Sequence, residues 1–242
     1  MNARSVLVLL FGAATAALCI RLGVWQLDRR AARQAYNAEA AARLAATPKP
    51  LREVRGDSAA VRLQRVTAAG RWRYDAEFAL TARSRNGSPG VHILTPLQQE
   101  GTDTLVLVTR GWVYAADAAT ADFARWREGD STRFEGFVLP FPAPGSGPDT
   151  SGIAPKAVIR LDAPRIAARL GAPLAPYYVV ITSGGAAGGE VPVRLSEPAV
   201  TDEGAHFSYA VQWFLFATIF IVGSLVVVRR ERQRSSQTAT EK

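Results

Sequence analysis

FSYAVQWFLFATIFIVGSLVVV, running from Phe207 to Val228, has no charged side chain in 22 residues. As an α-helix rising about 1.5 Å per residue it is roughly 33 Å long, enough to cross a hydrocarbon core. The other end of the chain holds a second apolar stretch. Val6 to Ile20 is free of charge, and it reaches spanning length once Leu22, Val24 and Trp25 are counted, with Arg21 snorkelling or facing protein. A cleaved signal peptide competes for this segment, because Ala13 to Ala17 resemble a cleavage region. Against cleavage, no polar region follows, and the helical pattern continues past Trp25 into Arg29 and Arg33. Leu18 stands where a small residue should precede a lipidated cysteine, so Cys19 reads as lipid-facing or packed. The spans predicted are residues 6–25 and 206–228.

The formal charge is +8. Residues 51–200 carry 17 basic and 15 acidic side chains, and the flanking ends 12 and 6. The surplus therefore lies beside the apolar segments, where it serves contacts with membrane lipids and topology, and a nucleic-acid partner is not expected. Arg229, Arg230, Arg232 and Arg234 form a short basic tail (229–242) that should stay in the cytoplasm, and two spans put residues 1–5 on the same side. Arg29, Arg30 and Arg33 lie across the membrane, but they head a long domain, and such domains translocate largely regardless of charge. With one cysteine in the chain, the outer domain has no disulfide.

Between the spans, an Ala- and Arg-rich stretch without Gly or Pro reads as a helical extension over 26–46, ended by Thr47-Pro48-Lys49-Pro50. Strands are predicted at Val61–Thr67, Gly70–Tyr74, Phe78–Thr81, Val91–Leu97, Leu105–Val113, Arg133–Leu139, Ala157–Leu161, Tyr177–Thr182 and Val191–Leu195. Pro140 to Pro155 reads as a long loop. Asp162 should cap a short helix through Leu170, with Pro164 in its first turn and Gly171 ending it. The fold class is membrane α+β: a transmembrane helix at each end flanks a mostly antiparallel β domain, 47–205, curled into a small barrel or sandwich.

Chemical handles are few. His92 and His206 are the only histidines, and there is no Gly-x-Ser-x-Gly elbow and no phosphate loop ending in Gly-Lys-Ser/Thr. Ser183 to Gly189 lacks dinucleotide-binding spacing and reads as a hairpin loop. His92 alternates with apolar neighbours and reads as structural. His206 opens the second span, with Tyr209 and Trp213 on its face at i+3 and i+7, and Ala210 and Ala217 alongside. One reading is an interfacial aromatic belt. The other is an imidazole offered to a haem iron, with the small residues making room for a macrocycle. Trp25, Arg29 and Arg33 share a face at matching depth on the first helix, to meet phospholipid or the propionates of a haem. A weaker third reading is a tethered enzyme using Arg110 with carboxylates such as Asp103. Gly111, in need of φ > 0, and Trp112 read as fold determinants.

Leu22-Gly23-Val24-Trp25-Gln26-Leu27-Asp28-Arg29 and His206-Phe207-Ser208-Tyr209-Ala210-Val211-Gln212-Trp213-Phe214 resemble blocks of the Surfeit locus protein 1 family. Arg83, Gly90 to Leu97, Val108 to Val113 and Asp162 to Gly171 are similar to that family's intervening blocks, in the same order. Ala205 and Leu161 depart from it, standing where the family often has Asn and an aromatic. The resemblance implies a non-enzymatic assembly factor for haem-copper cytochrome c oxidase that receives or presents haem a. The implied partners are the oxidase catalytic subunit and haem a synthase. On this reading His206 is the iron ligand, Tyr209 and Trp213 flank the porphyrin with Trp25 nearby, and Arg29 or Arg33 steadies a propionate. A scaffold that stabilises an oxidase intermediate without haem is the alternative. No room for an amphipathic transit peptide precedes the first span, which favours a bacterial cytoplasmic membrane with the central domain periplasmic.

Overall fold

A computed structural model of the protein describes residues 3–145, 156–185, 190–196 and 204–240. Part of the predicted Pro140–Pro155 loop and the tip of the Ser183–Gly189 loop lie outside the described residues. The chain divides into two compact units, Met1–Glu39 with Val200–Lys242, and Ala40–Ala199.

The first unit is built from helix α1 (Ala3–Ala45), up to Glu39, and a second long helix, His206–Thr240. Both are long and apolar enough to cross a membrane. They run antiparallel along a seam of small residues. Ala16 and Cys19 cluster with Ala217, flanked by Trp213 and Phe220. A Cβ on Gly12 would overlap the Ser224 hydroxyl, and one on Gly23 would lie 2.7 Å from the Phe214 ring. Small side chains bring the two backbones close enough for dispersion contacts. Away from the seam the large apolar side chains face outward, among them Leu7, Leu10, Phe11, Leu215, Ile219 and Leu225. At one end, the buried Ser5 hydroxyl donates to Glu231 Oε2 at 2.9 Å, and Arg4 pairs with Glu231 Oε1 at 3.3 Å.

In the second unit the elements run β1 (Lys49–Pro50), α2 (Ser58–Val61), β2 (Arg65–Trp72), β3 (Phe78–Leu80), β4 (Gly90–Gln98), β5 (Leu105–Tyr114), β6 (Ser131–Pro140), β7 (Ala157–Val158), α3 (Ala163–Leu170) and β8 (Leu174–Gly184). The long carboxy-terminal helix is α4. The sheet order is β1-β2-β6-β8-β5-β4-β3-β7, and β2 also pairs with β4 through Arg71↔Gln98 and Trp72↔Leu97. Strands β2, β6, β8, β5 and β4 thus form a ring of hydrogen-bonded neighbours. Most pairings are antiparallel, but β1–β2, β3–β7 and β5–β8 are parallel, so the sheet is mixed.

Strand β5 is buried from Leu105 to Val113 because both of its faces are covered. Val106 and Val108 point into the main core with Val66, Trp72, Leu97, Phe134 and Ile181. Leu107 joins Phe78, Leu80, Leu94, Val158 and Ile166 on the other side. Helix α3 forms as its caps dictate. Asp162 Oδ1 accepts from the Arg165 amide at 3.2 Å, and Gly171 ends the helix at φ +61°.

Four predicted strands differ: Gly70–Tyr74 is the end of β2, which stops at Trp72, and Ala157–Leu161 is reduced to the two residues of β7, while the other two change more. Val61 closes α2, whose first turn is held by the Ala60 amide donating to Asp57 Oδ1 at 2.8 Å, and β2 begins only at Arg65, after Leu63 at φ +59°. This strand continues through Gly70, where a Cβ would overlap the Gln98 carbonyl, so the glycine marks the close crossing of β2 and β4. Val191–Leu195 is not a strand; Val193 makes an isolated bridge to Trp112.

His92 stands opposite Leu80 and Trp112 in the register. Burial, with the Arg83 charge, lowers its pKa from the ordinary 6.5 to about 4. Between those values only the unfolded chain takes up the proton, so stability falls as pH drops through that window. The loss in the wild type should approach about 3 kcal/mol at pH 4, at about 1.36 kcal/mol per pKa unit. In urea titrations from pH 7 to 4, His92→Gln should show a flatter decline by that amount.

Candidate functional site

Helix α4 begins at His206, and its first turn is closed by the Tyr209 amide donating to the Ala205 carbonyl at 3.0 Å. The half-buried imidazole meets α1 through Nδ1, which lies 2.8 Å from Gln26 Oε1. An amide oxygen can only accept, so with Oε1 turned to the ring it is Nδ1–H that donates, and Nε2 is the nitrogen that Gln26 does not engage. Gly204, at φ +73°, adjoins that edge of the ring. A Cβ there would sit 3.5 Å from Cδ2 and 3.6 Å from Nε2, in ordinary contact with that edge. An imidazole held through one nitrogen, with the other not engaged by the same partner, is the arrangement a ligating histidine needs.

Tyr209 is 51% exposed and Trp25 49% exposed. The Arg29 guanidinium lies over the Trp25 ring at 5.6 Å, a cation–π contact that fixes a positive charge at this level. Arg33 is exposed one turn further on. Arg30, which spacing alone did not single out, covers the Phe207 ring at 4.9 Å.

Trp213 is placed differently from its neighbours. It packs beside Ala16, Cys19 and Ala217, and meets Phe216 edge-on at 6.0 Å. Ala210 and Ala217 are both buried. The expectation that these alanines make room for a macrocycle is corrected for Ala217, which makes room for α1. The face shared by His206 and Trp213 is largely the helix seam, and helical spacing cannot distinguish a seam from a ligand face. Gln26 also escaped the sequence reading, since its partner is 180 residues away. The one available signal was its place beside Trp25, at the depth of His206.

Arg110 offers nothing to a substrate. Its side chain is fully buried and donates to Thr95 Oγ1 (2.9 Å), Glu77 Oε2 (3.2 Å), Glu128 Oε1 (3.2 Å) and the Trp126 carbonyl. Arg194 closes the cluster on Glu128 and donates to the Arg110 carbonyl at 2.6 Å. Tyr74 lies under the Arg110 guanidinium at 5.3 Å, and its hydroxyl accepts from the Glu128 amide and donates to the Gly129 carbonyl. Burial raises the Glu77 pKa, and the Arg110 charge opposes the rise. Asp103, exposed, is not among these partners. The cluster ties the 126–129 segment, Gly184 and Arg194 to β5.

The SURF1 family model matches residues 13–218. A SURF1-like protein of Monosiga brevicollis is 28% identical over 127 residues, covering 48% of this chain and 49% of that protein. The chain thus spans about half the length of that relative.

Proposed function

The chain belongs to the SURF1 family, and on that premise we propose that it is an assembly factor for cytochrome c oxidase that binds haem a through His206 and presents it to the catalytic subunit. The family is one of oxidase assembly factors rather than of catalysts. The observation that carries the reading is the Gln26–His206 hydrogen bond, which leaves Nε2 as a ready axial donor. Tyr209 and Trp25 would flank the macrocycle. Arg29 and Arg33 would meet its propionates, for which guanidinium is the matching donor. A single strong ligand suits cargo that must be given up again.

We further propose that α1 and α4 lie in the bacterial cytoplasmic membrane, with the β unit on its outer side. The outward-facing leucines, isoleucines and phenylalanines of both helices support this, because a water-exposed apolar surface of that extent is unfavourable. Haem a synthase is a second expected partner, as the source of the cargo.

The test is spectroscopic. Full-length protein purified in mild detergent from a host that makes haem a should carry a Soret band, and His206→Ala should lose it while its circular dichroism is unchanged. Gln26→Ala should retain haem with roughly 10-fold weaker affinity, the loss typical of removing a ligand's hydrogen-bond partner. A colourless wild type would leave the scaffold reading in place of the carrier.

A further inference from the structure

Arg83, His92 and Tyr178 are all partly buried, and among the described residues none of their side chains has a hydrogen-bond or ion-pair partner. Arg83 Nε is buried without any acceptor. Arg110, in the same unit, shows how the fold treats a guanidinium it uses for itself, with acceptors on each of its three nitrogens. Orphaned buried donors are rare in proteins and call for an explanation.

The backbone that presents Arg83 is held firmly. Its amide donates to the Gly90 carbonyl at 2.9 Å, and its carbonyl accepts from Trp112 Nε1 at 2.8 Å. Trp112 is the cross-strand partner of His92, which places Arg83 over that pair. Tyr178 enters from β8, its ring 5.5 Å from Phe141. The Arg83 charge reaches both neighbours, opposing protonation of His92 and favouring ionisation of Tyr178. A guanidinium has donors only, a phenol offers its O–H, and a neutral imidazole offers one N–H. The guanidinium alone has donors and no acceptor, and among the described residues it bonds to neither the phenol nor the imidazole.

We propose that Arg83, with His92 and Tyr178, forms a binding site for an oxyanion of the carboxylate or phosphate type. The group would accept from the guanidinium in two parallel bonds, with the phenol and imidazole donating at its flanks. The site lies within the β unit and is independent of the haem reading. Its ligand is a soluble anion or the phosphate of a lipid headgroup.

The experiment uses full-length protein and histidine NMR, which has only two ring systems to resolve. In maltoside micelles, His92 is titrated with no added anion, with sodium acetate and with inorganic phosphate, at matched ionic strength. A further arm uses phosphatidylglycerol nanodiscs. An occupied site cancels the Arg83 charge felt by His92, so the His92 pKa should rise by about one unit. Arg83→Gln should raise it without any anion and abolish the response. Tyr178→Phe, a milder change, should weaken anion affinity several-fold while the fold is kept. A response to acetate or phosphate in micelles identifies a soluble ligand, and one confined to nanodiscs identifies a headgroup. An unchanged His92 titration in every arm, or an equal response in Arg83→Gln, overturns the proposal.

Discussion

Arg110→Met is expected to destabilise the β unit by about 3–5 kcal/mol, the usual cost of removing one partner from a buried ion pair. Glu77 and Glu128 would remain buried, Glu128 with Arg194 and Glu77, among the described residues, hydrogen-bonded to the Thr95 hydroxyl without an ion-pair partner. Glu77 is already pushed upward by burial, and without Arg110 it would rise further and be held as the neutral acid. Since the native state would then bind a proton that the unfolded chain releases above its ordinary 4.5, the variant should lose stability as pH rises from about 5 to 7. Urea unfolding of the full chain at both pH values checks the sign. Adding Glu77→Gln to Arg110→Met should recover part of the loss and flatten its pH dependence, because the neutral amide needs no counter-charge. A single substitution that leaves the unfolding midpoint unchanged would mean that the cluster contributes nothing to stability.

Gly111→Val carries the second large effect. Gly111 has φ +151°, and a Cβ there would meet the Val193 carbonyl oxygen at 2.5 Å and Pro192 Cβ at 2.9 Å. Backbone strain and overpacking together should cost roughly 3–5 kcal/mol. The predicted result is low abundance of the whole protein, with any haem content falling in proportion to protein rather than selectively. Gly87 is the control: it has φ +79° but no atom within 4 Å of its added Cβ. Gly87→Ala should cost only about 1–2 kcal/mol and keep most of the protein. Immunoblots of membrane fractions, normalised for transcript, distinguish the two.

How far the fold could be read from the residues depended on the range of the forces involved. The two long helices were legible because 22 uncharged residues leave few alternatives, and α3 because Asp162, Pro164 and Gly171 act within one turn of where they stand. Strands β4, β5 and β6 were close to their predicted bounds for the same local reason. At Val61–Thr67 the alternating β-branched residues competed with the Asp57 cap, and the cap took Val61. The parallel β5–β8 pairing was hidden, since nothing in either strand states its direction relative to the other. Arg110 was conspicuous, but Glu77 and Glu128 lie 33 and 18 residues away and only the sheet brings them to it. At the candidate site, His206, Tyr209, Trp25 and Arg29 stood out by chemistry and helical spacing. Gln26 and the seam position of Trp213 did not, because both are set by the neighbouring helix.

The pairing of Gln26 with His206 bears on the timing of biosynthesis. Once Gln26 has been added to the chain, 180 residues separate it from the synthesis of its partner. At about 5–20 residues per second that is a wait of roughly 10–35 s. Throughout it, the groove along Gly12, Ala16, Cys19 and Gly23 has no α4 to fill it. The hairpin therefore closes late, and whatever shelters the nascent α1 must be displaced before the imidazole acquires its orientation.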